Sequence, residues 1–413
     1  MIIVVIVATS TLWFPQHPQV AIIGSGPAGL LMALELCDRG YRKITVYGKL
    51  EDSQVQSKEY DGYRINIGAL GSMRYGRDVP EVLQLAQRFG MRPKTVVNNP
   101  NYTKPNAVTT IPKATDLPLK TIRHNFHRSL SEWALANDVS LDLLTNKQML
   151  LYELMGYGPL TSVPLHRTSS GLLWSLSGDT NLYVLDIDAL MKAIRGYLKV
   201  KGVKFVSTYV KSVEEKEVRL TDNTTAKADQ IIVACDPRSV THPLSQLFTP
   251  HTVKHTDYFS AVYRINGPIP PSNMVMNDVL MTGSKDLAAG YIVITNLNKS
   301  GEAIRHLVAY GYANADTTKA TILQSVQTQL QTLLPDNTVI PREAFKWEYN
   351  VRYTKEAVQN QVPRHVGSMQ GQKNIWYTGG MFSHWDISSI ANFNSVLAEY
   401  VILASMKRPI TPQ

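Results

Sequence analysis

Two hydrophobic periods alternate along this chain, and each change of period marks an element. Val20 to Ile23 is a short unbroken apolar run, the pattern of a strand buried on both faces. Leu30 to Cys37 places apolar residues around much of a helix, which Arg39-Gly40 closes, and Ile44 to Tyr47 is a second β-branched and aromatic strand. Tyr60 to Gly68 alternates as a short strand, and Val79 to Phe89 has helical spacing at Val82, Leu83, Leu85 and Ala86. Residues 93–118 read as a Pro-, Asn- and Thr-rich loop with short strands, and from about Leu119 to Tyr197 the pattern is mostly helical. Gly202 to Val213, Glu217 to Thr221 and Ala228 to Ala234 return to strand. So do His255 to Ile265, Ala289 to Leu297 and Arg305 to Tyr312. Thr317 to Leu334 is an amphipathic helix and Trp347 to Arg352 a short aromatic segment. Asn374 to Thr378 is a strand entering Gly379-Gly380, and Ser388 to Met406 is the last helix.

The strand, turn, helix and strand from Val20 to Lys49 hold Gly24-x-Gly26-x-x-Gly29, the context that a dinucleotide fingerprint requires. Gly24 permits the tight turn, Gly26 lets main chain approach a pyrophosphate, and Gly29 lets the helix press on the sheet. The helix starts at Pro27 and Ala28, and its free N–H groups, which begin at Ala28 because proline has none, offer partial positive charge to the phosphates. The acid that grips the adenosine ribose is expected at the end of the second strand, about 20 residues on. Gly48 stands there, with Glu51 and Asp52 in the following loop.

Similar elements recur at residues 200–240 and 366–406, so the reading is an α/β chain. A Rossmann-type domain (19–75, 200–240, 366–406) is interleaved with an α+β domain of mixed sheet and helices. The second domain takes 76–199, whose helical part is about 119–199, and 241–365; residues 1–18 are an apolar N-terminal segment.

Composition narrows the chemistry. Hydrophobic residues at 44% and charged ones at 18% are ordinary for a globular chain. The net charge of +9 suits an anionic substrate or an acidic surface, including peripheral membrane contact. Basic residues are not clustered with aromatics, which argues against nucleic acid. Of the 2 cysteines, Cys37 and Cys235 both read as small core residues. His124-x-x-His127 and His251-x-x-x-His255 could each share a helix face, yet neither has a third ligand nearby, so no metal site is expected. The run from Met1 to Ala8 is too short to span a bilayer and no basic residue precedes it, which leaves cytoplasmic and secreted locations open.

The glycine fingerprint at the front, the interleaving, and a Gly-Gly strand-turn-helix at the back resemble the flavin amine-oxidase superfamily. Lys211-Ser-Val213 following Val210, Asp229 to Pro237, and Tyr183 to Ile194 are similar to further motifs of that family. The resemblance implies bound FAD, with Gly68, Ala69, Gly379, Gly380 and Ile387 against it and the Val210 backbone holding adenine. His384 and Trp385 would lie beside the ring. Trp347 to Asn350 and Val366 to Gly380 look most like bacterial polyenoic fatty acid isomerases. Asn66 to Arg74 resembles L-amino-acid oxidases, in which an Arg at this place pairs with the substrate carboxylate. Arg74 is therefore a candidate carboxylate clamp, or otherwise a phosphate or surface partner. Either branch removes hydride from a carboxylate-bearing small molecule: an oxidase passes it to oxygen, an isomerase returns it at another carbon. The alternatives are an L-amino acid or amine oxidase producing peroxide, and a non-catalytic member of the fold. The family's Arg-x-Gly-Gly turn is replaced by Gln54 to Lys58, and its closing acid by Gly380.

Overall fold

Val20 and Ile22 point into one core and Ala21 and Ile23 into another, so β1 (Val20–Ile23) is buried on both faces, as its unbroken apolar run requires. The computed structural model describes residues 18–49, 53–68, 71–75, 81–92, 95–98, 101–102, 119–139, 156, 163–166, 180–268, 274–276, 285–298, 300–383 and 386–406. Around β1 lie β2 (Ile44–Tyr47), β9 (Lys204–Val206), β13 (Gln230–Val233) and β19 (Ile375–Tyr377), in the order β19-β13-β1-β2-β9, with every pairing parallel.

One face of this sheet packs against α1 (Pro27–Asp38), α2 (Glu81–Arg88), α4 (Ile187–Val200) and α8 (Ile387–Met406). The other carries an antiparallel meander of β10 (Val210–Glu214), β11 (Glu217–Leu220) and β12 (Thr225–Lys227), from which Val213 and Val218 enter the core. By length and composition the stretch Ile387–Ser405 could cross a membrane, but Ile390, Leu397, Ala398 and Val401 are spent in the core beside α1.

A second sheet has the order β18-β14-β17-β16-β15-β7. Its strands are β18 (Thr338–Tyr353), β14 (Val253–Asn266), β17 (Ala303–Tyr312), β16 (Leu287–Leu297), β15 (Met274–Met276) and β7 (Asn101–Tyr102). The helix α5 (Lys319–Leu333) lays Ile322, Val326 and Leu330, four residues apart, on Tyr263, Leu307 and Val339. After β18, α6 (Lys355–Gln359) and α7 (Val362–Ser368) lead back to β19. A third, antiparallel sheet of β5 (Gly71–Tyr75), β8 (Thr180–Val184) and β6 (Thr95–Asn98) has β8 at its centre. The short α3 (Leu130–Ala136) begins with a capping box of Ser129 and Glu132.

Three features differ from the reading of the sequence. Thr180–Val184, placed in a helical stretch, is the strand β8, and the helix starts only at Ile187, where the Asp186 carboxylate accepts from the Ala189 N–H at 3.0 Å. The helices α2 and α4 bury their apolar faces in the core of the parallel sheet, although residues 76–199 were assigned to the second domain. Periodicity announces a helix but not the sheet it covers. Gly202 to Val213 divides between β9 and β10, in different sheets.

The tip of the hairpin formed by β3 (Ser57–Tyr60) and β4 (Tyr63–Asn66) is bolted to the second sheet. Asp61 bonds the Nε2 of fully buried His306 at 3.0 Å and the Arg342 guanidinium at 3.1 Å. Lys58 pairs with Glu343 at 2.7 Å, and the Tyr63 hydroxyl donates to the Leu297 carbonyl at 2.8 Å. Asp61→Ala should therefore cost about 1–3 kcal/mol, since it strands a buried imidazole. Urea unfolding checks this, and an unchanged midpoint would refute it.

Candidate functional site

The opening glycine turn is shaped by one contact. A Cβ on Gly29 would fall 1.9 Å from the Gly24 carbonyl oxygen, so only glycine lets α1 cross the chain that leaves β1. The N-cap of α1 is Gly26, Pro27 occupies its first turn, and that turn has no acidic residue. A Cβ on Gly26 would meet nothing within 4 Å, so the main chain here faces open space. Bare N–H groups at a helix N-terminus, beside room for a ligand, are what phosphate oxygens need.

The closing turn lies directly against it. A Cβ on Gly379 would sit 3.7 Å from that of Ala28. Fully buried Asn394 of α8 ties the two turns together, its Nδ2 donating to the Ala28 carbonyl at 2.8 Å while its Oδ1 accepts from the Thr378 hydroxyl. Beside these turns is a cavity of about 690 Å³, of the size that small-molecule and cofactor sites take.

Gly24, Gly26, Pro27, Ala28, Gly379 and Gly380 line this cavity, as do Val210 at the start of β10 and Ile387 at the start of α8. Gly29 acts behind it, in helix packing. Gly68 is set against the chain at Gln54, whose carbonyl oxygen would be 2.0 Å from an added Cβ. Arg74 is on β5 opposite Asn181, with its side chain outside what is described. Ala69, His384 and Trp385 lie outside the described residues, as do Glu51 and Asp52. Trp376 and Tyr377 are both core: the Trp376 Nε1 donates to Gln230 at 2.8 Å, and the Tyr377 hydroxyl is 3.1 Å from His242.

Other lining residues had no signal in sequence spacing. Lys49, Thr208, Tyr209 and Lys211 form one part of the wall; Tyr349, Val351, Met381 and Phe382 bring in apolar surface. The Trp347 to Arg352 segment marked the place of Tyr349 and Val351 but not their facing. The described acids in the lining, Asp236 and Glu348, both bind Arg238, at 2.6 and 3.1 Å. Burial pushes the Cys235 thiol up to about 11, so it stays protonated near neutrality and is no nucleophile.

The N-terminus of α8 is capped from within. Buried Asp386 accepts from the Ser389 N–H at 3.0 Å and from its hydroxyl. Burial raises its pKa above the usual carboxyl value, against the opposing pull of those hydrogen bonds.

These residues fit a dinucleotide held mainly by main chain. The helix N-terminus and the open face of Gly26 suit a pyrophosphate, the β10 edge an adenosine, and the apolar wall a flat ring system. Residues 22–89 match the domain family described as NAD(P)-binding Rossmann-like domain. No curated protein sequence matches the chain. Among solved structures, a CLA-producing fatty acid isomerase from P. acnes superposes with a TM-score of 0.72 at 15% identity, covering 93% of this chain and 98% of that one. Putrescine oxidase bound to putrescine gives 0.64 at 12%, covering 94% and 99%. Cyclohexylamine oxidase from Brevibacterium oxydans gives 0.62 at 13%, covering 95% and 99%. The architecture thus combines a domain of the NAD(P)-binding Rossmann-like family with a second, six-stranded sheet. Over nearly all of its length the chain shares its fold with these three proteins.

The raised pKa of Asp386 has a consequence for stability. Between the ordinary carboxyl value and the higher folded one, the folded state keeps a proton that the unfolded chain has released, so stability falls as pH rises through that window. Asp386→Asn should flatten this fall while keeping the acceptor for Ser389. Tm measured from acidic to neutral pH tests it, and parallel curves for the two proteins would disprove it.

Proposed function

We propose that the protein is an FAD-dependent oxidoreductase that removes hydride from a carbon of a carboxylate-bearing substrate, most like a double-bond isomerase of polyunsaturated fatty acids. The observation that carries this reading is that one and the same cavity is lined by both glycine turns, by the start of α8 and by β18 of the second sheet. Bound there, FAD would supply the two-electron chemistry; the chain's own residues bind, orient and shield. The α1 N-terminus and the turn at Gly379 and Gly380 would hold its phosphates. Val210 edges the adenosine, and Tyr349, stacked on Tyr258 at 5.4 Å between ring centroids, helps to keep water from the reacting end.

Support for an apolar acid over an amine comes from the charges. An ammonium group would seek a carboxylate, and both described acids of the lining are already engaged by Arg238. Val351, Met381, Phe382, Ile387 and Ile390 instead offer surface to a hydrocarbon chain. Arg74, on β5, is the proposed partner of the substrate carboxylate. An amine or amino-acid oxidase on this same fold remains the competing reading, supported by the likeness to the two oxidases.

The purified protein should be yellow and release FAD on denaturation; a colourless protein that takes up no flavin would end this reading. Polyunsaturated fatty acids, supplied without oxygen, should be converted to conjugated isomers. Peroxide formed from amines or amino acids would favour the oxidase. Arg74→Ala should raise KM for an acid substrate about tenfold or more, and an unchanged KM would remove Arg74 from that role.

A further inference from the structure

The end of β2 is where an adenosine ribose lies in this type of fold, and the residue there chooses between ribose hydroxyls and a ribose phosphate. A carboxylate accepts from the hydroxyls and repels a phosphate. This chain cannot place one at that position. Gly48 has φ of 144°, and a Cβ on it would be 2.9 Å from the Ser25 nitrogen and 3.0 Å from its Oγ. The Gly48 N–H donates to the Val206 carbonyl at 3.1 Å, which pins the turn to β9. An acidic side chain is therefore excluded by packing, not merely absent.

A cation follows Gly48 in the chain. Lys49 lines the cavity with its Nζ 4.7 Å from the centroid of the Tyr209 ring, a cation–π contact that restrains the ammonium group at the rim. Lys211, also in the lining, comes from β10, its Nζ 3.5 Å from Asn223 Oδ1. The hydroxyl-bearing residues Ser25, Thr208 and Thr221 line the same cavity. The described acids of the wall, Asp236 and Glu348, are both bound to Arg238, whose charge offsets one of the two.

We propose that Lys49 and Lys211 make the adenosine end of the cavity a subsite for a phosphorylated ribose, so that the chain recognises adenine dinucleotides of the 2′-phosphate class in the crevice assigned to FAD. The inference rests on the dinucleotide reading of that crevice and goes beyond it. A nucleotide bearing the extra phosphate would compete with FAD for its adenosine half. Its binding would weaken with salt, since the added contacts are ion pairs at a solvent-facing rim.

Two probes that differ only by this phosphate test the idea: adenosine 2′,5′-bisphosphate and adenosine 5′-monophosphate. They are titrated calorimetrically into the full chain after dialysis to remove flavin. The bisphosphate should bind about tenfold tighter or more at low salt, with the gap narrowing as salt rises. Lys49→Gln should erase the difference and Lys49→Arg keep it. Equal affinities, tighter binding of the monophosphate, or no binding of either probe would overturn the proposal. Failure of the FAD reading would look different: no flavin bound at any concentration, with the preference between the two probes intact.

Discussion

The fold is organised around the contact between Gly29 and the Gly24 carbonyl, where a helix passes so close to the strand before it that a single methyl group would force them apart. Because α1 can lie there, its N-terminus opens toward the ends of β1 and β13, and its apolar residues Leu30, Leu31 and Leu34 reach the core of the parallel sheet. Asn394 then holds the closing turn against the same helix start, joining residues far apart in sequence with two buried hydrogen bonds. A buried amide satisfied on both sides is a specific joint, since either partner left alone would bear the desolvation of an unmade bond. The cradle is thus set by sterics and one amide, with little help from charge.

How much of this was legible in the sequence depended on how local each cause was. The first strand-turn-helix-strand was readable because Gly24, Gly26 and Gly29 act within a few residues of one another. The helix α5 was readable because Ile322, Val326 and Leu330 keep one face. The strand β8 was not, because Thr180–Val184 is a strand only by virtue of β5 and β6, whose residues lie some 80 to 110 positions earlier. Only the aromatic end of β18 stood out. Its first half contains Pro341, which is tolerated where the β14–β18 register shifts, next to the Tyr263 and Pro341 pair.

The candidate site divides along the same line. Its main-chain walls, at the glycine turns, Val210 and Ile387, follow motifs and could be placed from spacing. Its side-chain character arises from tertiary approach: Lys49 is brought over Tyr209 only because the end of β2 and the start of β10 meet at the cavity. Gly48, which looks like a lost anchor when the sequence is read alone, has a positive reason in three dimensions, since Ser25 occupies the space that a larger residue would need. Asp386 likewise reads as an ordinary cap until its burial is known.

The hairpin at Asp61 belongs by sequence to the nucleotide-binding half, yet its tip is anchored in the opposite sheet through His306, Arg342 and Glu343. Swinging the two halves apart would tear a buried imidazole from its only described carboxylate and break several ion pairs at once. The molecule is consequently ill suited to clamshell opening. Entry to its interior would then depend on openings within a frame that stays closed, not on a hinge between its halves.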